Sequence, residues 1–191
     1  MLCNMLGKEP GARWRCVHVR GHSGPCCPFA CPPMRKDTGN IWTVSRHLER
    51  LCDAVVIPTN GIINRHGEAV MGRGLARQAA QRWPGLPRVL AAALLAGGNH
   101  VYDVYRPRGL PTLITFPVKR HWHLAAEPAL IEQSCVELIQ LVDRLGFHDV
   151  ALPRVGCGNG QLKWVDIRPI LERYLDSRFI LVSLPSEVQS D

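Results

Sequence analysis

The stretch LPRVGCGNGQLKW, residues 152–164, decides the architecture that we predict for this chain of 191 residues. It continues an apolar run that begins at Val150, and its segment GCGNG, residues 156–160, places few side chains between the backbone and solvent. Such glycines let successive N–H groups turn toward one anion, and a helix beginning near Trp164 would add its positive N-terminal end. The alternative is a turn that only joins a buried strand to a helix, and a single Gly-x-Gly does not discriminate between the two.

A second segment of this kind follows another predicted strand. The residues AVVI at 54–57 are apolar without alternation, which predicts a strand covered on both faces, and Pro58 predicts that its pairing ends there. Thr59 and Asn60 would then project from the carboxyl end of the strand, where open α/β sheets bind ligands. Further on, the glycine-containing segment 72–74 precedes a predicted helix over 75–82, which is the order that an anion site requires.

The remaining hydrophobic periodicity predicts strands that alternate with helices. The predicted strands are 41–44, 101–105, 112–116, 149–152 and 179–184, and the predicted helices are 45–51, 89–96, 127–145 and 164–174. This alternation is typical of the α/β class, and we predict a three-layer α/β/α sandwich around a mixed, largely parallel central sheet.

Composition places most of the basic charge outside this pattern. The net charge is 23 − 16 = +7, and residues 1–36 contribute +5 through six basic residues and one acid, which leaves +2 for the rest. The basic total therefore does not indicate a DNA groove. No apolar run approaches the ~20 residues that span a bilayer, and the N-terminus has no signal-peptide core, so we expect a soluble, cytoplasmic protein without membrane partners.

Residues 1–33 are rich in Cys, Pro and Gly, and we predict a poorly ordered extension before a domain over residues 34–191. The alternative is a zinc site in the extension, although no pair of Cys-x-x-Cys motifs is present. Its candidate ligands are Cys16, His18, His22, Cys26, Cys27 and Cys31. In the domain itself, we expect the cysteines to be reduced and buried. They are Cys52, Cys135 and Cys157.

Four phrases in order carry a resemblance to a known family. They are DAVVIPTNG at 53–61, VMGRGLA at 70–76, TFPVKRHW at 115–122 and ALPRVGCGNGQLKW at 151–164. Together they resemble the macro domain, a module that binds ADP-ribose, over residues 39–184. The likeness is strongest to the branch that removes ADP-ribose, which includes an antitoxin acting on thymidine in DNA and a hydrolase acting on glutamate esters. Lys119 in the third phrase points to that branch.

The resemblance implies a role for individual residues. Asn60 matches the asparagine that binds the distal ribose, and Asn40 stands where many macro domains place an aspartate against the adenine amino group; an Asn oxygen can accept the same hydrogen bond. Gly160 stands where the glutamate-ester hydrolase has an aspartate, which favours the DNA-directed branch. The implied ligand-binding residues, including both diphosphate loops, are Asn40, Ile41, Thr59, Met71, Gly72, Arg73, Gly74, Leu75, Val155, Gly156, Cys157, Gly158, Asn159 and Gly160.

The implied reaction breaks a bond at the anomeric carbon of the distal ribose through an oxocarbenium-like transition state. With Asn60 positioning the ligand, Lys119 would attack, orient or protonate at that centre if desolvation lowers its pKa. The alternatives are a reader that binds ADP-ribose without turnover and a phosphatase acting on ADP-ribose 1″-phosphate. The implied partners are ADP-ribose, ADP-ribosylated macromolecules including DNA or protein, and a toxin.

Neighbouring residues have weaker signals. Trp122 is either a stacking surface for a substrate base or a ring packed on its own domain, and His121 is a second candidate for substrate contact. A metal pair of His121 and His123 lacks further ligands in the sequence, so we expect neither a metal nor a cofactor. We interpret His66 as a solvated loop residue and Cys157 as a small loop residue without an activating histidine.

Overall fold

A computed structural model describes residues 32–47 and 51–189 of the chain as a β-sheet with helices on both faces. The strands are β1 (Arg35–Thr38), β2 (Ala54–Asn60), β3 (Asp103–Tyr105), β4 (Thr112–Lys119), β5 (Val150–Leu152) and β6 (Phe179–Ser183). The helices are α1 (Ile41–His47), α2 (Gly74–Arg82), α3 (Leu86–Gly97), α4 (Pro128–Leu145), α5 (Trp164–Tyr174) and α6 (Pro185–Val188). The zinc ligands considered above and nearly all of the predicted extension lie outside the described residues.

The sheet has the strand order β1-β6-β5-β2-β4-β3. Every neighbouring pair is parallel except β3 and β4, which are antiparallel. The prediction of a mixed, largely parallel sheet is confirmed.

Both faces of the sheet are covered, as the unbroken apolar run in β2 predicts. Ala54 and Val56 pack into one core with apolar residues of α4 and α5, and Val55 and Ile57 pack into the other core with apolar residues of α1, α2 and α3. The three-layer α/β/α sandwich is therefore confirmed. Among the described residues, no helix combines the length and the apolar character needed to cross a membrane.

Two local predictions are wrong. Residues 41–44 form the first turns of α1 instead of a strand, because the Asn40 side-chain oxygen accepts a 2.9 Å hydrogen bond from the Trp42 N–H and caps the helix. The strand at this end of the sheet is instead β1, whose residues are largely exposed and polar and therefore show no apolar pattern.

Pairing also does not end at Pro58. It continues on the β4 side to Asn60, which is opposite Lys119. β5 pairs with β2 only at Ala54 and Val55, so β2 has a single neighbour by the time it reaches Pro58. A proline at this position therefore removes no hydrogen bond on the β5 side.

The path of the chain opens a crevice at the carboxyl ends of β2 and β5. After β2 the chain runs to α2 on one face of the sheet, and after β5 it runs to α5 on the opposite face. The loops that follow these neighbouring strands therefore diverge. In open α/β sheets, this is the position at which ligands bind.

The loop after β5 is fixed against α4 by a close approach at Gly156. Its φ is +77°, and a Cβ placed on it would lie 2.7 Å from Cδ1 of Ile131, a fully buried residue of α4. Gly158 has a similar φ of +61° but no atom within 4 Å of the same position. Both glycines carry the backbone through a left-handed conformation, but only Gly156 also lacks room for a methyl group.

This difference yields a prediction for a matched pair of variants. Gly158→Ala should cost about 1–2 kcal/mol of unfolding free energy through the left-handed conformation alone. Gly156→Ala should cost roughly 1–3 kcal/mol more, because the added methyl group overpacks the core at Ile131. Urea unfolding followed by circular dichroism measures both. Equal destabilisation of the two variants would contradict the packing argument.

Candidate functional site

A cavity of about 810 Å³ lies at the carboxyl ends of the central strands. This volume falls in the range of sites that enclose a small organic ligand or nucleotide, roughly 300–1,000 Å³. The structure brings most of the predicted site residues to its wall. They are Asn40, Ile41, Thr59, Asn60, Met71, Gly72, Arg73, Gly74, Leu75, Lys119, Trp122, Gly156, Cys157, Gly158, Asn159 and Gly160.

Two predicted site residues do not line the cavity. Val155 is fully buried and packs in the core with residues of α4 and α5, because the chain at this point is still leaving the sheet. His121 also lies outside the wall, and its Nδ1 is buried without a hydrogen-bond partner. His123 lines the cavity instead, although no pattern in the sequence distinguishes it from His121.

The two glycine loops meet across the cavity. Gly74 is the first residue of α2, and a Cβ placed on it would lie 3.0 Å from Nδ2 of Asn159 in the second loop. The first turn of α2 therefore presents unpaired backbone N–H groups beside the second loop, which is the arrangement that binds phosphate at a helix N-terminus. The N-terminus of α5 does not share this role, because neither Lys163 nor Trp164 lines the cavity.

Lys119, the last residue of β4, is the buried cation of the site. Its side chain lines the cavity although the residue is only 7% exposed. The Nζ atom donates hydrogen bonds of 2.7 Å to the Leu124 carbonyl and 2.9 Å to the Asn159 carbonyl. Desolvation by burial lowers the pKa of Lys119 from its ordinary value, and the positive charge of Arg73 lowers it further. Lys119 therefore both connects two loops and has a weakened preference for the charged form.

Asn60 lines the cavity from the end of β2 and is half-buried. Its Nδ2 donates to the Val70 carbonyl at 2.8 Å, and its Oδ1 accepts from the Ile62 N–H at 3.0 Å. The side chain thus closes the loop that leads from β2 toward the first glycine segment. One amide hydrogen and one lone pair are left for a ligand, since an Asn side chain has two donors and an oxygen with two lone pairs.

Asn40 is at another part of the cavity wall, where it caps α1 as described above. Its neighbour Ile41 is buried and contributes an apolar surface. The Asn40 oxygen keeps a second lone pair after capping the helix, so the role implied for it at an adenine amino group is compatible with the cap.

Several wall residues had no signal in the sequence or a weak one. Arg154 donates from Nε to the Ser183 hydroxyl at 2.9 Å, and its guanidinium lies 4.8 Å from the centre of the Trp164 ring. Arg154 lies within residues 152–164, and its charge is a sequence signal that could have identified it as a site residue. Glu187 of α6 also lines the cavity, and no motif surrounds it. Its position depends on the hydrogen bond from the Leu184 N–H, which only the fold reveals.

The remaining histidine and cysteine candidates have different surroundings. The rings of His121 and His123 are 4.0 Å apart, but the described residues contain no group of three or more metal-ligating side chains. His66 is exposed on its loop, as predicted. Cys157 is half-buried at the cavity wall, so the prediction that all three domain cysteines are buried is wrong for this one.

Comparison with known proteins agrees with this geometry. Residues 93–171 match the family model of the macro domain. A DNA ADP-ribosyl glycohydrolase from Mycobacterium tuberculosis is 33% identical over 103 residues, which cover 51% of this chain and 29% of that protein. A DNA ADP-ribosyl transferase-DNA ADP-ribosyl glycohydrolase fusion protein from Thermosipho africanus is 34% identical over 71 residues, which cover 37% of this chain and 18% of the relative. The matched regions thus span less than a third of each relative's length.

The fold is shared with a solved structure, the macrodomain of Mycobacterium tuberculosis DarG. The TM-score is 0.63 at 24% identity, and the match covers 79% of this chain and 97% of that structure. Residues 93–171, less than half of the chain, thus match the macro-domain family model, and the described fold is the fold of a solved macrodomain.

Proposed function

We propose that this chain binds ADP-ribose in the cavity and hydrolyses the bond that joins its distal ribose to a nucleobase of DNA. The observation that carries the proposal is Lys119, a buried lysine at the cavity wall that is hydrogen-bonded to the second glycine loop. The names of the sequence relatives support DNA as the carrier. Because those relatives are much longer than the matched region, the carrier and the activity are both part of the proposal.

In the proposed complex, the diphosphate lies between the two glycine loops. The first turn of α2 supplies N–H donors, and Arg73 adds a positive charge at the same place. The adenine lies toward Ile41 and Asn40, and the distal ribose lies toward Asn60 and Lys119. This orientation places the anomeric carbon beside the buried amine.

Lys119 then acts as a neutral amine. An amine that donates two N–H groups, to the Leu124 and Asn159 carbonyls, has its lone pair at the remaining tetrahedral position. In the protonated form, that position is occupied by a third N–H and cannot attack. The lowered pKa of Lys119 increases the fraction of the attacking form.

The proposed reaction has two steps. In the first, the amine forms a bond to the anomeric carbon while the bond from that carbon to the base breaks. The electron pair of the broken bond goes to the base, which takes a proton from water. The new ammonium group returns a proton to water. In the second step, the glycosylamine opens to an imine, and water hydrolyses the imine to ADP-ribose and free Lys119. The net reaction converts ADP-ribosylated DNA and water to DNA and ADP-ribose.

One observation favours a second candidate, a reader that binds ADP-ribose without turnover. Both hydrogen bonds of the Lys119 Nζ go to backbone carbonyls, which is also how a lysine that only connects two loops would be arranged. The lowered pKa favours the enzyme over the reader, because a purely structural lysine gains nothing from a weakened positive charge.

One of the sequence relatives also suggests a partner for this chain. The relative from Thermosipho africanus joins a transferase and a glycohydrolase in one protein. We propose that this chain acts against a DNA ADP-ribosyl transferase toxin, whose product is the substrate described above.

Calorimetry followed by turnover assays tests the function. ADP-ribose should bind the wild-type chain, which should then release ADP-ribose from an ADP-ribosylated oligonucleotide. Binding without release from DNA, from protein or from ADP-ribose 1″-phosphate would support the reader instead. Release of phosphate from the 1″-phosphate alone would indicate a phosphatase, and absence of binding would contradict the assignment of the cavity.

Replacing Lys119 by methionine tests the catalytic role. Met keeps an apolar chain of similar length but has no amine, so kcat on the oligonucleotide conjugate should fall by at least ~10²-fold. Binding of ADP-ribose should weaken by a smaller factor than the loss in kcat, because Met cannot hold the Asn159 carbonyl but the first glycine loop keeps its contacts. The matched control is Lys163→Met, at an exposed lysine outside the cavity wall, which should leave both quantities unchanged. An unchanged kcat in Lys119→Met would contradict the role.

The dependence of rate on pH has a definite sign. If the neutral amine attacks, kcat/KM should rise with pH through the pKa of Lys119 in the ligand-free chain, because deprotonation creates the reactive form. Since burial and Arg73 lower that pKa, the rise should occur below the ordinary titration range of lysine. Kinetics of the wild-type chain across neutral to alkaline pH measure it. A rate that falls with rising pH would show that the protonated form is needed and would exclude attack by the amine.

Chemical trapping separates attack from general-base catalysis. Sodium borohydride added during turnover should reduce the imine to a stable amine and attach ADP-ribose covalently to Lys119. Peptide mass spectrometry locates the adduct, and Lys119→Met should form none. Normal turnover without any adduct on the wild-type chain would show that the lysine acts without forming the covalent bond.

A further inference from the structure

We infer that Trp122 is a stacking platform for the nucleobase that carries ADP-ribose, and that it makes the site selective for unpaired nucleic acid over protein. The inference rests on the proposed function and concerns the carrier, not the ADP-ribose group. Trp122 lies three residues beyond Lys119 and lines the mouth of the same cavity.

Trp122 differs from the other tryptophans that the structure describes. It is 53% exposed, whereas Trp42 is buried and Trp83 and Trp164 are half-buried. An exposed indole carries a cost in water, since its large apolar surface is better buried. Because Trp122 lies at the mouth of the cavity, a bound carrier would cover the ring and remove this cost.

The loop that carries Trp122 is held in place on both sides. Lys119 Nζ donates to the Leu124 carbonyl, and the Leu124 N–H donates to the His121 carbonyl at 3.2 Å, which closes a turn around the tryptophan. Beyond the turn, the Ala126 N–H donates to the Gly160 carbonyl at 2.8 Å, which connects this loop to the second glycine loop. The indole is therefore exposed on a fixed loop, and stacking on it costs little ordering entropy.

Neighbouring rings also orient the indole. The His123 ring is 5.3 Å from it at an interplanar angle of 84°, and the His121 ring is 5.6 Å away at 43°. Such edge-on and tilted contacts stabilise one orientation of an aromatic ring.

The charge of the cavity wall is compatible with an anionic ligand. Among the described residues, its cationic side chains are Arg73, Lys119 and Arg154, and its single acidic side chain is Glu187. Arg154 lies 4.0 Å from Glu187, and the two negative charges of the diphosphate balance the net charge of 3 − 1 = +2, so the charge of the wall suits an anionic ligand without distinguishing one carrier from another. Together, an exposed indole and a cationic wall are the features of sites for single-stranded nucleic acid.

Stacking on Trp122 would also compensate for the stacking that the modified base loses when its ADP-ribose group enters the cavity. A base whose ADP-ribose occupies the cavity is drawn to the mouth and loses its stacking within a duplex. An indole at the mouth replaces part of that stacking, so single-stranded DNA should be the better substrate. A modified amino-acid side chain has no such face to stack, and Trp122 should contribute little to a protein carrier.

The test compares Trp122→Ala and Trp122→Phe on three ligands: free ADP-ribose, a single-stranded oligonucleotide carrying one ADP-ribosylated base, and an ADP-ribosylated protein. Loss of one stacking contact should lower kcat/KM for the oligonucleotide about tenfold in Trp122→Ala, and Trp122→Phe should retain most of it. The Kd of free ADP-ribose and the kcat/KM for the protein should change little. Leu95→Ala, at a 78% exposed residue of α3 outside the cavity wall, is the matched control.

Three results would overturn the inference: an unchanged kcat/KM for the oligonucleotide, an equal loss on the protein carrier, or an equal loss of affinity for free ADP-ribose. The last would place Trp122 in the wall of the ADP-ribose site itself. If the wild-type chain binds the conjugate without releasing ADP-ribose, the proposed hydrolysis fails and the Kd of the oligonucleotide conjugate becomes the readout of Trp122. A chain that binds neither ligand contradicts both proposals.

Discussion

The pair of hydrogen bonds from the Lys119 Nζ holds the candidate site together. They run from the end of β4 to the Leu124 carbonyl in the following loop and to the Asn159 carbonyl in the second glycine loop. These two loops form one side of the cavity, and Asn159 in turn approaches Gly74 at the start of α2. A single buried amine thus fixes the loops that are proposed to bind the diphosphate and the carrier. Its burial both enables this connection and lowers its pKa.

Other polar residues at the cavity combine a structural role with a proposed ligand-binding role in the same way. Asn60 closes the loop after β2 with both ends of its amide, and Asn40 caps α1 with its oxygen. A side chain that is already hydrogen-bonded cannot rotate freely, so its remaining donor or acceptor points in a defined direction. This preorganisation reduces the entropy lost when a ligand binds. It also means that replacing such a residue changes the loop as well as the contact.

The sequence predicted the parts of the fold that depend on patterns of neighbouring residues. The unbroken apolar run of β2 and the periodicity of α4 were sufficient for the three layers, and the resemblance led to a single cavity shared by Asn60, Lys119 and the glycine loops. The errors have local physical causes. An Asn cap made a helix of residues 41–44, although their composition suits a strand. Contacts that join distant segments, such as Lys119 to Asn159 or α6 to the cavity wall, leave no trace in local composition.

The electrostatics of the site couple binding to protonation. In the ligand-free structure, the positive charge of Arg73 adds to burial in lowering the pKa of Lys119. A diphosphate bound between the glycine loops would offset the charge of Arg73 and, by its own charge, favour the protonated amine. Chemistry by the neutral amine therefore requires that the negative charge be balanced before it reaches Lys119. The N–H groups of the first turn of α2 provide such a balance without adding a titratable group, which is a physical reason for placing the diphosphate at a helix N-terminus beside a reactive lysine.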